Sequence, residues 1–100
     1  MSKITVSDND LHPHLLARMK QRGIAIQEIE DTLNLGEAVR DAKEGTLGKR
    51  LVFQHSEHWE GKWFEEKEVT VYYILEDAQI ILLTVIARYG KAFPGPRREP

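Results

Sequence analysis

Hydrophobic and polar positions follow a helical period in the first third of the chain and a two-residue period afterwards. In the stretch from His12 to Ile24, Leu11, Leu15, Leu16 and Met19 form an apolar stripe, and His14, Arg18 and Arg22 recur every fourth position beside it. At about 100° per residue these three run up one side of a short helix, with their stems on the core and their nitrogen atoms at the surface. Pro13 fits the first helical turn, and Asp8, Asn9 and Asp10 before it offer a cap and favourable negative charge. Gly23 stops the helix, with Ile24 as the hydrophobic residue that accompanies a left-handed cap. A second helix is expected from Ile24 to Leu35, where Ile26, Ile29 and Leu33 keep helical spacing, Glu28 lies in the first turn and Gly36 closes the pattern. Two short helices joined by a glycine turn form a hairpin.

The remaining pattern is β-like. Lys3–Val6 alternates and reads as a short strand. Ala38–Lys43 and Lys49–His55 read as two strands joined by a turn at Glu44, Gly45 and Gly48. Ser56–Glu66, with two tryptophans and a glycine among acids, has no clear period and reads as a loop or as the irregular end of a long hairpin. Val69–Leu75 and Ile80–Ala87 are β-branched and aromatic, and Glu76–Gln79 between them makes a hairpin turn. In the second of these strands Ile80, Leu82, Thr84 and Ile86 alternate with Ile81, Leu83, Val85 and Ala87, so both faces carry apolar residues. Two short helices cannot cover both, which implies a central position, a C-terminal segment folded over the strand, or a partner subunit. The fold class expected is α+β: two N-terminal helices packed on one face of a mainly antiparallel sheet of four to five strands. Residues 1–90 make a single domain, and 91–100, with Pro94, Gly95 and Pro96, read as a flexible C-terminal tail.

The pattern from His14 to Ile24, H-x-x-x-R-M-x-x-R-G-I, followed by a helix carrying Ile29 and Leu33, resembles a widespread bacterial set of small domains, domain-of-unknown-function family 4258. That family is similar in layout to the RelE/ParE superfamily of toxins, several of which cleave RNA without a metal. The resemblance implies a toxin-like fold and two function classes. One is a metal-free ribonuclease of a toxin–antitoxin system, with RNA as substrate and an antitoxin protein as partner. The other is a non-catalytic module that binds a protein or forms a homodimer.

Composition weighs between them. One hundred residues suffice for one modest core. The absence of cysteine removes disulfides and thiolate metal sites and suits a reducing cytoplasm. No apolar run reaches the roughly 18 residues of a membrane span. A net charge of −2 and a pI near 6.1 lack the basic footprint of a nucleic-acid binder. Locally, Glu57, Glu60, Glu65, Glu66 and Glu68 make an acidic middle, and Arg88, Lys91, Arg97 and Arg98 a basic end.

Metal-free RNA cleavage needs a base for the 2′-hydroxyl, an acid for the leaving oxygen and positive charge for the transition state. Arginine supplies only the charge. Proton transfer would fall to His14, His55, His58, Tyr72, Tyr73 or Tyr89, and charge to Arg18, Arg22, Lys49, Arg50, Arg88 or Lys91. A ribonuclease would use His14, Arg50, Arg88 and Tyr89 for catalysis and Arg18, Arg22, Lys49 and Lys91 to hold substrate, gathered near the end of the last strand. The alternative for each is ordinary: His14 caps or packs a helix turn, Arg18 and Arg22 pair with Glu30, Asp31 or strand carbonyls, and at least one of Tyr72 and Tyr73 is core. Trp59 and Trp63 are placed to stack bases or to cover the sheet. His12–Pro13–His14 and His55–Ser56–Glu57–His58 lack the spacing of a helical zinc pair, and no cofactor or phosphate-loop motif is present.

Overall fold

The computed structural model describes residues 3–98. Helix α1 spans Pro13–Arg22 and α2 spans Ile26–Leu35; they precede β1 (Glu37–Ala38), β2 (Leu47–Trp59), β3 (Lys62–Glu76) and β4 (Gln79–Gly90). The strands form one antiparallel sheet in the order β1-β2-β3-β4, so the expected α+β architecture is present. No helix among the described residues is long and apolar enough to cross a membrane.

Helix α1 follows its sequence signals, with one correction at its start. The cap is His12, whose Nδ1 accepts from the Leu15 N–H at 3.2 Å, and not the acidic run, which forms a separate 3₁₀ turn at Asp8–Asp10. Pro13 occupies the first helical position, which makes the residue before it the cap. At the other end Gly23 is left-handed, at φ +67°, and Ile24 N–H returns to the Met19 carbonyl at 2.9 Å. A β-carbon on Gly23 would sit 2.6 Å from the Trp59 ring and 2.8 Å from the Tyr89 hydroxyl, so glycine is required by conformation and by space.

Lys3–Val6 is not a strand. Ile4 exchanges two hydrogen bonds with the Asn34 side chain, both 2.8 Å, and the Val6 N–H donates to Glu30 at 2.9 Å. Side chains of α2 thus take the backbone partners that a sheet would have supplied, and the segment lies along the helix. Of the expected Ala38–Lys43 strand only Ala38 is extended in the sheet, as the second residue of β1, where Glu37 and Ala38 pair with Arg50 and Lys49.

Ser56–Glu66 proves to be the end of a long hairpin. Glu60 and Gly61, both at positive φ (50° and 84°), make the two-residue turn that matches strand twist, and Asp77 and Ala78 (50° and 65°) make its counterpart between β3 and β4. A bulge between Gln54 and Glu57, with Ser56 at φ +47°, breaks the period there.

One sheet face is covered by the helices. Leu51 and Phe53 of β2, Val69, Val71 and Tyr73 of β3, and Leu82 and Val85 of β4 pack with Leu15, Met19, Ile24, Ile29 and Leu33. Burying a side chain of this size contributes roughly 1.5–3 kcal/mol, and this cluster is what holds the layers together. Leu82 and Val85 share that face because Leu83 is an extra residue: Tyr72 pairs with Thr84 and Tyr73 with Leu82. The simple alternation expected for Ile80–Ala87 therefore fails at one point.

Strand β4 is a sheet edge, and α1 closes it. His12 Nε2 lies 3.0 Å from the Leu82 carbonyl, and Arg22 donates to the Val85 carbonyl at 2.6 Å. With Nδ1 of His12 accepting at the helix start, the neutral ring donates through Nε2. Two outward carbonyls of an edge strand are thereby occupied.

Candidate functional site

The sheet face away from the helices is where polar chemistry collects. Alternation and register place Arg50 and Val52 of β2, Glu66, Glu68, Thr70 and Tyr72 of β3, and Thr84, Ile86 and Arg88 of β4 on it. Residues 91–98 cross one end of this face. The Phe93 N–H donates to Glu66 at 3.0 Å, the Arg88 guanidinium lies 5.4 Å from the centre of the Phe93 ring, and Arg97 reaches Glu66. The segment then pairs in parallel with β2, the Val52 N–H donating to the Pro96 carbonyl at 3.0 Å and the Arg98 N–H to the Val52 carbonyl at 2.9 Å. Val52 and Glu68, on a face without helices, are consequently buried.

Every arginine on this face has a carboxylate. Arg50 meets Glu37 at 2.9 Å, Arg88 meets Glu68 at 3.4 Å, and Arg97 meets Glu66 at 2.9 Å. The first two pairs are set by register, since Glu37 lies opposite Arg50 and Glu68 opposite Arg88. The Glu68 side chain is 4% exposed and that of Arg88 67%, so the carboxylate lies inside and the guanidinium reaches outward. The Arg97 hydrogen bond holds the Glu66 carboxyl below its ordinary range against the opposing effect of burial, with help from the Phe93 N–H. Burial, then the neighbouring Asp41, pushes the Tyr72 hydroxyl up. Beyond Tyr72 the face turns apolar, where Ile74 and Ile81 lie opposite one another and Ile81 is 38% exposed; Ile86, 37% exposed, lies on the near side, opposite Thr70.

The sequence-selected residues do not form one cluster. Arg50 and Arg88 share the open face, but Tyr89, the neighbour of Arg88, points to the covered side, as adjacent strand residues must. There its hydroxyl donates to the Arg22 carbonyl at 2.6 Å and its ring stacks on Trp59 with centroids 5.1 Å apart. Burial first, then Glu28, Glu60 and Glu57, raise this hydroxyl to about 12, which removes it from proton transfer near neutrality. His14 is exposed on α1, on the opposite side of the sheet from Arg50 and Arg88, its ring stacked 6.1 Å from that of His12. Arg18 bonds the Gln21 amide at 2.9 Å rather than an acid or carbonyl of the fold. Arg22 is the one of the pair that reaches a strand carbonyl. Lys49 pairs through its backbone with Ala38 of β1, Lys91 is exposed, and neither has an ion-pair partner among the described residues. Of the two tyrosines, Tyr73 is core and Tyr72 faces out.

A second cluster surrounds Gly23. Lys67, buried on the covered face, donates to the Gly23 carbonyl and to Glu28 at 2.8 Å, and its ammonium lies 5.7 Å from the centre of the Tyr89 ring. His55 packs edge-on to the same ring at 5.2 Å, and its Nε2 is buried with no hydrogen-bond partner among the described residues. The carbonyls of Arg22 and Gly23 are thus the points on which Tyr89 and Lys67 anchor. The Arg-Gly-Ile run is accounted for as a structural hub. Sequence reasoning missed His12, Lys67 and Glu68. Pro13 signals the first, whereas the other two lie in an acidic stretch with no local cue.

Among the described residues no three His, Asp or Glu side chains are placed to share a metal ion. No curated protein and no solved structure matches the chain. Residues 11–87, which include both helices, the hub and most of the sheet, match Domain of unknown function (DUF4258), and the chain belongs to that family.

Proposed function

We propose that this domain is a non-catalytic protein-binding module that associates with a second copy of itself through the open sheet face. The observation that carries the reading is the pairing of Arg50, Arg88 and Arg97 with Glu37, Glu68 and Glu66, while His14 and Tyr89 lie on the other side of the sheet. A phosphate would have to displace a carboxylate from each arginine, and neither His14 nor Tyr89 shares the face to move a proton. Ile81 and Ile86 are exposed apolar side chains on the same face, on either side of the Tyr72–Thr84 pair, and a face whose charges already cancel meets its own copy across a two-fold axis without repulsion.

One observation favours a second reading, a metal-free ribonuclease of the toxin kind: Glu68, Arg88 and Arg50 share one face, a carboxylate base beside two cations. Incubating the purified chain with RNA in the presence of chelator separates the two. The binding reading expects no cleavage, no growth arrest on expression in a bacterial host, and no RNA binding even at low salt, where phosphate contacts are strongest. Cleavage lost on Glu68→Gln or Arg88→Ala would replace it with the second.

A further inference from the structure

The outer edge of β2 between β1 and the bulge is a slot with defined chemistry. At Val52 it offers one N–H and one C=O, the pair that an added strand uses. Its two sides are acidic. Glu66 of β3 takes Arg97 through two bonds, Nε to Oε2 at 2.9 Å and Nη2 to Oε1 at 3.0 Å. Asp31 of α2 takes Arg98 at 2.9 Å, and the Phe53 ring lies 5.4 Å below the Arg98 guanidinium. The alternation of an extended chain sends consecutive arginines to opposite sides, which is what Glu66 and Asp31 require. Neither carboxylate has another ion-pair partner among the described residues.

The occupant present is the chain's own residues 96–98. It makes two backbone bonds to Val52, and both arginine side chains are 42% exposed, so water screens the ion pairs. The connection from Gly90 contains Pro94, Gly95 and Pro96, has positive φ at Ala92 and Gly95, and belongs to no strand or helix. It can swing away while β4 stays paired to β3.

We propose that this edge is a docking slot for an extended segment of a partner protein with two consecutive basic residues, which adds to the sheet as a strand. The chain's own Pro96–Arg98 holds the slot in cis. The inference shares the Arg97–Glu66 pair with the open-face association but is tested apart from it, because it uses the β2 edge and Asp31 rather than the exposed isoleucines. A short tether keeps the cis segment at an effective concentration of order millimolar, so a free peptide competes poorly until the cis segment is weakened.

The test uses the full chain and a fluorescent synthetic peptide of residues 92–98. In the variant Arg97→Glu/Arg98→Glu, like charges at Glu66 and Asp31 expel the cis segment. The peptide should then bind at least tenfold more tightly than it binds the unaltered chain. Adding Glu66→Gln to that variant, which removes the acceptor of the peptide's first arginine without attracting the cis segment, should abolish the gain. Equal binding to the variant and the unaltered chain, or binding indifferent to Glu66→Gln, would overturn the proposal. Should the charge-reversed chain not fold, Arg97→Gln/Arg98→Gln removes both ion pairs without repulsion and must show the same order of affinities.

Discussion

Replacing Gly23 by alanine probes the hub on which both helices and the last strand converge. A left-handed residue with a β-carbon costs about 1–2 kcal/mol in backbone energy. The new carbon would lie 2.6 and 2.7 Å from two atoms of the Trp59 ring and 2.8 Å from the Tyr89 hydroxyl, none of which is a flexible chain end. Forcing them apart adds roughly 1–3 kcal/mol of overpacking, and losing the Tyr89 bond to the Arg22 carbonyl adds about 0.5–1.5 kcal/mol. Lower entropy of the unfolded chain returns about 0.4–1 kcal/mol. A net loss of roughly 2–6 kcal/mol is a large part of the 5–15 kcal/mol expected for a domain of this size, and corresponds to a fall in Tm of at least about 8 °C. Gly61 provides the control: its φ is +84° and nothing lies within 4 Å of an added carbon, so Gly61→Ala pays the backbone cost without the clash. Urea and thermal unfolding followed by circular dichroism give both values. Gly23→Ala no more destabilising than Gly61→Ala would refute the packing argument.

Arg22→Ala leaves the Val85 carbonyl at an open edge and should cost about 1.5–3 kcal/mol in the same assay, whereas Arg18→Ala, which loses only a Gln21 contact, should stay within about 0.5 kcal/mol. Ultraviolet titration should find one tyrosine ionising near 12, Tyr89. Because its folded value lies above the unfolded value of 10.0, the stability it contributes is complete below pH 10 and is lost between pH 10 and 12; Tyr89→Phe should abolish that loss. Glu66 has the opposite sign: its folded value lies below 4.5, so the stability it lends is present above pH 4.5 and disappears as pH falls through the folded value. Acid unfolding of Arg97→Gln should show a shallower dependence there.

What the sequence disclosed and what it concealed divide along physical lines. Helix α1 was legible because its stripe, Pro13 and Gly23 all agree, and the β3–β4 hairpin because two β-rich runs flank a short polar turn. The bulge at Leu83 was not, since a period-two reading cannot register one inserted residue, and it moves Val85 to the face of Leu82. The Glu60–Gly61 turn lacks the Asn-Gly signature of its class, so the acidic Trp-containing stretch read as irregular. Lys3–Val6 has strand composition, but Asn34 and Glu30 claim its backbone, a competition between elements that no local pattern contains. That Arg88 and Tyr89 must face opposite ways follows from alternation alone. That Glu68 sits buried opposite Arg88 requires the register, which is a property of the folded sheet.

Sedimentation of the purified chain across tens to hundreds of micromolar tests the proposed association most directly, with Ile81→Asp/Ile86→Asp as its partner measurement. Self-association through the open face predicts a dimer for the unaltered chain and a monomer for the double variant with its circular dichroism intact. A monomer at every concentration, or a dimer that survives the two aspartates, would contradict it.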